Sequence, residues 1–327
     1  MNGAQLLLII FGGVAVAALA HRRGVRPGLA AVVLAAAGSF IPGVPRAAGN
    51  RLARRPNTLN PWTAHRDTDT VAGMDVLRIH EIAEAGHRIL NPFTEDKLML
   101  LGEVCRLRPG QRQLDIASGK GEMLCRWADA FGIEGHGVDI SEVFVPAARA
   151  RAAELGVAGR VTFTLGEGAQ VLTEMAVQAD HPQYDVVSCI GATWIGGGLA
   201  GTVALMRRVV RPGGLLLIGE PYWADDTPDQ AYTGLGLPKE DFTTLVGTLD
   251  RIEAAGLELV EMVLADPDSW DRYTASQWWT VSDWLRENAA SPDAPAMREY
   301  LETCRRTHLR YQRRYLGWGV FVCRTER

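Results

Sequence analysis

The stretch QLDIASGKGEML, Gln113 to Leu124, decides the fold. An apolar run closes on Asp115 and Ile116, then come small residues and two glycines, then helix formers from Glu122 onward. That order reads as a β-strand turning tightly into an α-helix. Ala117, Ser118, Gly119 and Gly121 leave the main chain nearly bare in the turn. Glycine also takes backbone angles that other residues avoid, so a ligand can lie close against such a loop.

Outward from this turn the pattern is regular. TEDKLMLLGEVCRL (94–107) precedes it, with acids in its first turn and apolar residues at 98, 101, 104 and 105, and reads as a helix. After it, GEMLCRWADAFG (121–132) is helical and GHGVDI (135–140) is a strand. SEVFVPAARARAAELG (141–156) is a helix with Ser141 as N-cap and Gly156 just past its end. RVTFTL (160–165) and YDVVSCI (184–190) are strands, LAGTVALMRRVV (199–210) is helical, RPGG turns the chain, and LLLIG (215–219) is a fifth strand. Alternating helices and almost wholly apolar strands predict an α/β, doubly wound, largely parallel sheet covered on both faces. LELVEMVL (257–264) and GWGVFVCR (317–324) predict two more strands. Residues 224–256 and 265–315 predict a helical cap holding Trp270, Tyr273, Trp278, Trp279 and Trp284. Within it, Met297, Tyr300, Leu301, Cys304, His308, Tyr311 and Tyr315 form an apolar stripe opposite an arginine-rich face, which reads as a solvated face over packing.

In a doubly wound sheet the ligand sits beyond the carboxyl ends of the strands. Asp139 ends the second strand 20 residues after Gly119, where a carboxylate takes hydrogen bonds from a ribose diol. Dinucleotides and S-adenosylmethionine both use that geometry. A dinucleotide fingerprint needs a third glycine where Leu124 stands, and Asp115 before the loop opposes a pyrophosphate. An acid there suits a cationic ligand instead.

LDIASGKGE, GVDIS, VTFTLGEGA, YDVVSCIGATW and RPGGLLLIGEPYW, in that order, resemble the class I S-adenosylmethionine-dependent methyltransferases from about Asn91 to the C-terminus. HRILNPFTEDK, IGEPYW, LADPDSWDRY and GWGVF look more narrowly like a bacterial, small-molecule-type branch. The resemblance implies a Rossmann-like, seven-stranded sheet with an antiparallel last strand, and S-adenosyl-L-methionine as cofactor. It implies that Asp115 and Ala117, Ser118, Gly119 and Gly121 hold the methionine portion, Asp139 the ribose hydroxyls, Ile140 an adenine face, and Glu167 with Gly168 the adenine edge. Cys189 and Gly191, at the end of the fourth strand, are to line the cofactor's other side. Lys120 departs from the family's small or hydroxyl residue, and its ammonium is expected to point to solvent.

Methyl transfer needs an in-line nucleophile, and some acceptors also need a proton removed. Glu220 and Tyr222 follow the fifth strand, and His87 precedes the core, so these three are the candidate catalytic residues. Trp194, Tyr222 and Trp223 are candidate pocket walls for an apolar or aromatic small molecule. A catalytically silent, membrane-tethered binding protein and a dinucleotide-dependent oxidoreductase are the alternatives. A net charge of −4 and IGATW, where nucleic-acid methylating enzymes carry Asn-Pro-Pro-aromatic, argue against nucleic acid as partner. The five cysteines and seven histidines form no metal-ligand spacing, so no metal is expected.

The 327-residue chain divides at residue 74. Residues 1–45 hold two uncharged runs, each near the length that spans a bilayer, and 46–73 read as a polar linker. Three readings of this extension stand: a membrane anchor or hairpin, a translated upstream stretch before a start at Met74, and a cleaved signal peptide. The methyltransferase-like domain is 74–327, with its core at about 91–222 and cap and final strands at 223–327. The expected location is cytoplasmic, with tethering to the inner face of the membrane if the anchor is real.

Overall fold

The computed structural model describes residues 70–71, 74–177 and 183–325. The predicted anchor and nearly all of the linker lie outside the described residues. Among the described residues no helix is long and apolar enough to cross a membrane.

Seven strands form one sheet: β1 Arg112–Ile116, β2 Glu134–Asp139, β3 Val161–Leu165, β4 Tyr184–Ile190, β5 Val210–Trp223, β6 Glu258–Leu264 and β7 Leu316–Arg324. Their spatial order is β3-β2-β1-β4-β5-β7-β6. β1 to β5 pair in parallel, and β7 runs antiparallel between β5 and β6. The expected seven-stranded, doubly wound sheet with an antiparallel last strand is therefore present. RPGG does not end an element: residues 211–214 bulge within β5, whose pairing jumps from Tyr184↔Val210 to Val186↔Leu215. β5 then runs on through Glu220 and Tyr222, because β7 pairs with it as far as Trp223↔Leu316.

The helices are α1 Val76–Ala83, α2 Glu95–Val104, α3 Glu122–Phe131, α4 Phe144–Glu154, α5 Gly168–Ala176, α6 Leu199–Met206, α7 Asp229–Leu235, α8 Leu245–Ala254, α9 Pro267–Glu287 and α10 Ala294–Thr307. One sheet face is buried beneath α2, α3 and α4 through Leu98, Leu101, Leu124, Trp127, Ala128 and Ala148. Trp127 is fully buried, and its Nε1 donates to the Leu98 carbonyl at 3.0 Å, so this large core side chain has its polar atom satisfied. The other face lies beneath Leu172 of α5, Leu199 and Val203 of α6, and Ile252 of α8. α8 thus belongs to the sheet layer although it falls in the predicted cap segment 224–256. α4 begins later than expected, with Val143 rather than Ser141 at its N-cap, and Ser141 holds the turn before it, its Oγ accepting from Val143 N at 3.1 Å and Phe144 N at 3.0 Å.

A third core joins α1 to α9 and α10: Ile79, Ile82 and Ala83 pack with Val281, Met297, Tyr300 and Leu301. The cap tryptophans divide. Trp270 is buried, Trp278 and Trp284 pack on this third core, and Trp279 keeps 74% of its surface exposed. On the arginine-rich face Arg306 pairs with Glu302, Arg313 with Asp271 and Arg314 with Asp226, so those charges are met locally.

Candidate cofactor and acceptor site

Parallel pairing brings the carboxyl ends of β1, β2, β4 and β5 to one edge of the sheet. The loop after β1 is tightly turned. Gly119 and Gly121 have φ of 54° and 69°, and Ala117, which carries a Cβ, has φ of 64°. A left-handed alanine costs about 1–2 kcal/mol, and such strain concentrates at functional loops. Neighbouring bonds hold the turn: Ser118 N donates to Val138 O at 3.0 Å and Gly121 N to Ser118 O at 2.9 Å.

Asp139 ties the same loop to β2. Its Oδ2 accepts from Gly119 N at 2.7 Å and its Oδ1 from Ser141 N at 2.9 Å. Each carboxylate oxygen keeps a second lone pair. The two glycines, read alike in the sequence, have different duties. A Cβ on Gly121 would stand 2.4 Å from the Phe163 ring and 2.9 Å from Ala148, so that glycine lets α3 approach β3 and α4. A Cβ on Gly119 would stand 2.7 Å from Leu90 Cδ1. Gly168 is likewise a packing glycine, 2.4 Å from Ile116 Cγ2 by the same measure. Ser118 Oγ is buried without a hydrogen-bond partner, facing the bare Cα of Gly137.

Asp115 and Asp139 are both buried, and neither takes part in an ion pair among the described residues. Burial pushes the Asp115 carboxyl up to about 7, with the Asp139 charge adding to the rise and a 2.6 Å hydrogen bond from Ser188 Oγ opposing it. Burial also raises Asp139, against the backbone N–H bonds that stabilise its charge. Two buried acids facing a bare loop, with no cation of their own, fit a ligand carrying an ammonium and a sulfonium. Residues that fit S-adenosylmethionine are thus in place. Ile140 leaves 44% of its surface exposed, an apolar platform for a flat ring, and Glu167 is exposed just before α5. Cys189 does not line a cleft: its side chain is fully buried in the core with Leu114 and Ile116, since it points into the α5–α6 face of the sheet. Gly191 does reach an open surface.

That surface is a cavity of about 450 Å³ at the ends of β4 and β5. Gly191, Trp194, Glu220, Asp241, Arg251 and Trp270 line it, with Leu199, Leu237, Phe242 and Leu316 completing an apolar wall. Glu220 is 3% exposed, and burial pushes its carboxyl up to about 7 against a Thr193 hydrogen bond and the Arg251 charge. Thr193 Oγ1 bonds Oε2 at 3.1 Å, whereas Oε1 and the Trp194 Nε1 are buried without partners. Arg251 spends Nη1 and Nη2 on the Asp241 and Glu240 carbonyls. Sequence reading missed Thr193, which stands inside the quoted IGATW run, and Leu237, Asp241, Phe242 and Arg251, which come from segments with no motif of their own.

Of the three candidate catalytic residues only Glu220 lines the cavity. Tyr222 shares the face of β5 that carries Glu220, but its ring lies across Gly317, its cross-strand partner on β7, where a Cβ would meet it at 2.1 Å, and it does not line the cavity. Trp223 is buried against Tyr232 and Phe242, with Nε1 on the Lys239 carbonyl. His87 sits in a separate cluster, its Nδ1 2.6 Å from Glu84 Oε2, its Nε2 hydrogen-bonded to Ser276 Oγ, and its ring stacked on Tyr273. Lys120 does not point to solvent: its Nζ donates to the carbonyls of Glu84, Ala85 and His87.

Comparison with known proteins identifies relatives of the chain and of its fold. A family profile described as a methyltransferase domain matches residues 107–273. The YjhP protein of Escherichia coli K12 is 43% identical over 251 residues, which are 76% of this chain and 98% of that protein. A methyltransferase from Geobacter sulfurreducens, solved with S-adenosyl-L-homocysteine, superposes with a TM-score of 0.70 at 46% identity, covering 75% of this chain and 97% of that one. A ubiquinone/menaquinone biosynthesis C-methyltransferase of Ectopseudomonas mendocina is 31% identical over 136 residues, 41% of this chain and 48% of that protein.

Proposed function

The chain belongs to the S-adenosylmethionine-dependent methyltransferases, and from that premise we propose that it methylates a small, largely apolar molecule held in the cavity at Glu220. The observation that carries this reading is the pairing, in one mostly apolar cavity, of an unpartnered carboxylate oxygen with an unpartnered indole N–H. Such a pair suits an acceptor group that both donates and accepts a hydrogen bond, a hydroxyl or an amine. Gly191 lines the cavity and follows the strand beside the Asp115 loop, so acceptor and cofactor would meet there. The relative named for quinone biosynthesis supports a small-molecule acceptor.

Bound S-adenosylmethionine supplies an activated methyl group on a sulfonium. The chain's own work is then to bind, align and exclude water. Asp139, with Gly119 N–H fixed on one oxygen, would hold the ribose hydroxyls with its remaining lone pairs, and Asp115 would hold the ammonium. Ile140 and Glu167, both exposed beside the loop, would hold the adenine. Glu220, whose carboxyl burial pushes up to about 7, would accept the proton of the acceptor at Oε1 while Thr193 holds Oε2. Residues 1–45, if they are an anchor, would place this site where apolar acceptors partition.

The test is incubation of a cell extract with enzyme and methyl-labelled cofactor, followed by separation of small molecules from protein and nucleic acid. Label in a new small-molecule species is the expected result. Label confined to macromolecules would refute the reading.

A further inference from the structure

Lys120 stands in the cofactor loop and has no part in the chemistry assigned above. Its ammonium has three N–H donors, and all three find carbonyls: Glu84 O at 2.7 Å, Ala85 O at 3.0 Å and His87 O at 2.7 Å. These carbonyls belong to the turn that follows α1, where a helix leaves carbonyls unpaired and its dipole favours a cation. A compact ammonium can answer three carbonyls converging on one point, whereas the planar guanidinium of arginine cannot, and serine or threonine is too short to reach.

The same turn is fixed from its other side. The Glu84 carboxylate is fully buried and accepts from Tyr273 OH at 2.5 Å and Gln277 Nε2 at 2.6 Å, both on α9, besides His87. Tyr273 OH also reaches the Leu90 carbonyl at 3.3 Å. Residues 84–90 are therefore gripped between the cap helix and the cofactor loop. The product of that grip is the seat of Leu90, whose side chain fills the space above the Cα of Gly119.

We propose that Lys120 is a positioning residue for the cofactor, clamping residues 84–90 as a cover over the 117–121 loop that must part for S-adenosylmethionine to be taken up or released. The inference goes beyond the proposed acceptor chemistry and does not depend on which molecule is methylated. Lys120 lies inside the cofactor-loop motif but at a position where it departs from the family's small or hydroxyl residue, and its partners at 84–90 lie outside that motif. Leu90 is the part of the cover that faces the loop, and Lys120 is the part that holds it down.

Two variants separate the clamp from simple stability. Lys120→Met keeps the length and removes the donors, and Leu90→Ala empties the seat while leaving the three Lys120 bonds. Release of S-adenosyl-L-homocysteine, followed by displacement in a stopped-flow instrument, is expected to quicken about tenfold in each, the scale of one charged hydrogen bond or one large apolar contact. Amide hydrogen exchange of residues 84–93 is expected to slow when the wild-type protein binds S-adenosyl-L-homocysteine. Unchanged release rates in both variants, even with a lowered melting temperature for Lys120→Met, would overturn the proposal. If Lys120→Met does not fold, Leu90→Ala and the wild-type exchange decide alone: unaltered release together with unaltered exchange overturns it, and a change in both upholds it.

Discussion

Thr193 Oγ1 meets Glu220 Oε2 at 3.1 Å, and the other oxygen of that buried carboxyl has no partner. One half of the group is held, and the other is buried without a partner in a residue that lines the cavity. Its raised pKa of about 7 gives a signed expectation. A general base must be ionised, so label transfer should rise with pH through about 7 and level off above it. Glu220→Gln should remove that limb and lower the turnover at pH 8 by about 10²–10⁴-fold. A pH–rate profile of both proteins checks this.

The same carboxyl bears on stability with the opposite sense. Burial raises its folded-state pKa, so the folded protein holds the proton more tightly than the unfolded chain. Stability from this group is then full at low pH and declines as pH rises from about 4.5 to about 7, by up to about 3 kcal/mol. Glu220→Gln should therefore melt higher than wild type at pH 8, with the gain shrinking at pH 5. Melting curves at the two pH values report it.

Glu84 is the reverse case. Burial works to raise its carboxyl, but the hydrogen bond and charge of His87, with Tyr273 adding to them, outweigh it and hold the pKa below the usual value. Its contribution is thus full above about pH 4.5 and lost on acidification. Glu84→Leu would leave His87, Tyr273 and Gln277 without their shared acceptor in a buried place, at a cost of about 3–5 kcal/mol. Denaturant unfolding at pH 7 should show a lowered midpoint of that size.

Enlarging the cavity wall separates the acceptor from the cofactor. Leu237→Trp projects bulk into the 450 Å³ space from a residue outside the cofactor loop. Transfer to the small-molecule acceptor should fall at least tenfold, while calorimetric affinity for S-adenosyl-L-homocysteine stays near that of wild type. Parallel loss of both would place the cavity in the cofactor site instead.

Much of this was legible in the sequence because its signals are local. Apolar runs mark buried parallel strands, and the Asp115 to Gly121 turn and Asp139 follow from strand ends. Gly121 and Gly168 show the limit: a glycine needed for close packing and one needed beside a ligand look the same until Phe163 and Ile116 are seen against them. Cys189 and Tyr222 were placed by proximity to strand ends, but alternation along β4 turns Cys189 into the core, and Tyr222, on the same face as Glu220, lays its ring over Gly317 of the neighbouring strand. The cavity wall, from Leu237, Phe242 and Arg251, is assembled by tertiary contact between segments remote from any motif, so nothing local announces it. Lys120 was misjudged because repulsion from a cationic ligand was weighed without the three carbonyls of a turn more than 30 residues earlier.

The most direct measurement is calorimetric titration of S-adenosyl-L-homocysteine into the wild-type protein and into Asp139→Ala. The predicted result is tight, saturable binding by the wild type and a loss of at least about tenfold in Asp139→Ala, because the carboxylate fixes Gly119 N–H and, in the proposed arrangement, would take ribose hydroxyls. The melting curve of the variant should stay cooperative. Equal affinity in the two proteins would contradict the assignment of the cofactor to this loop.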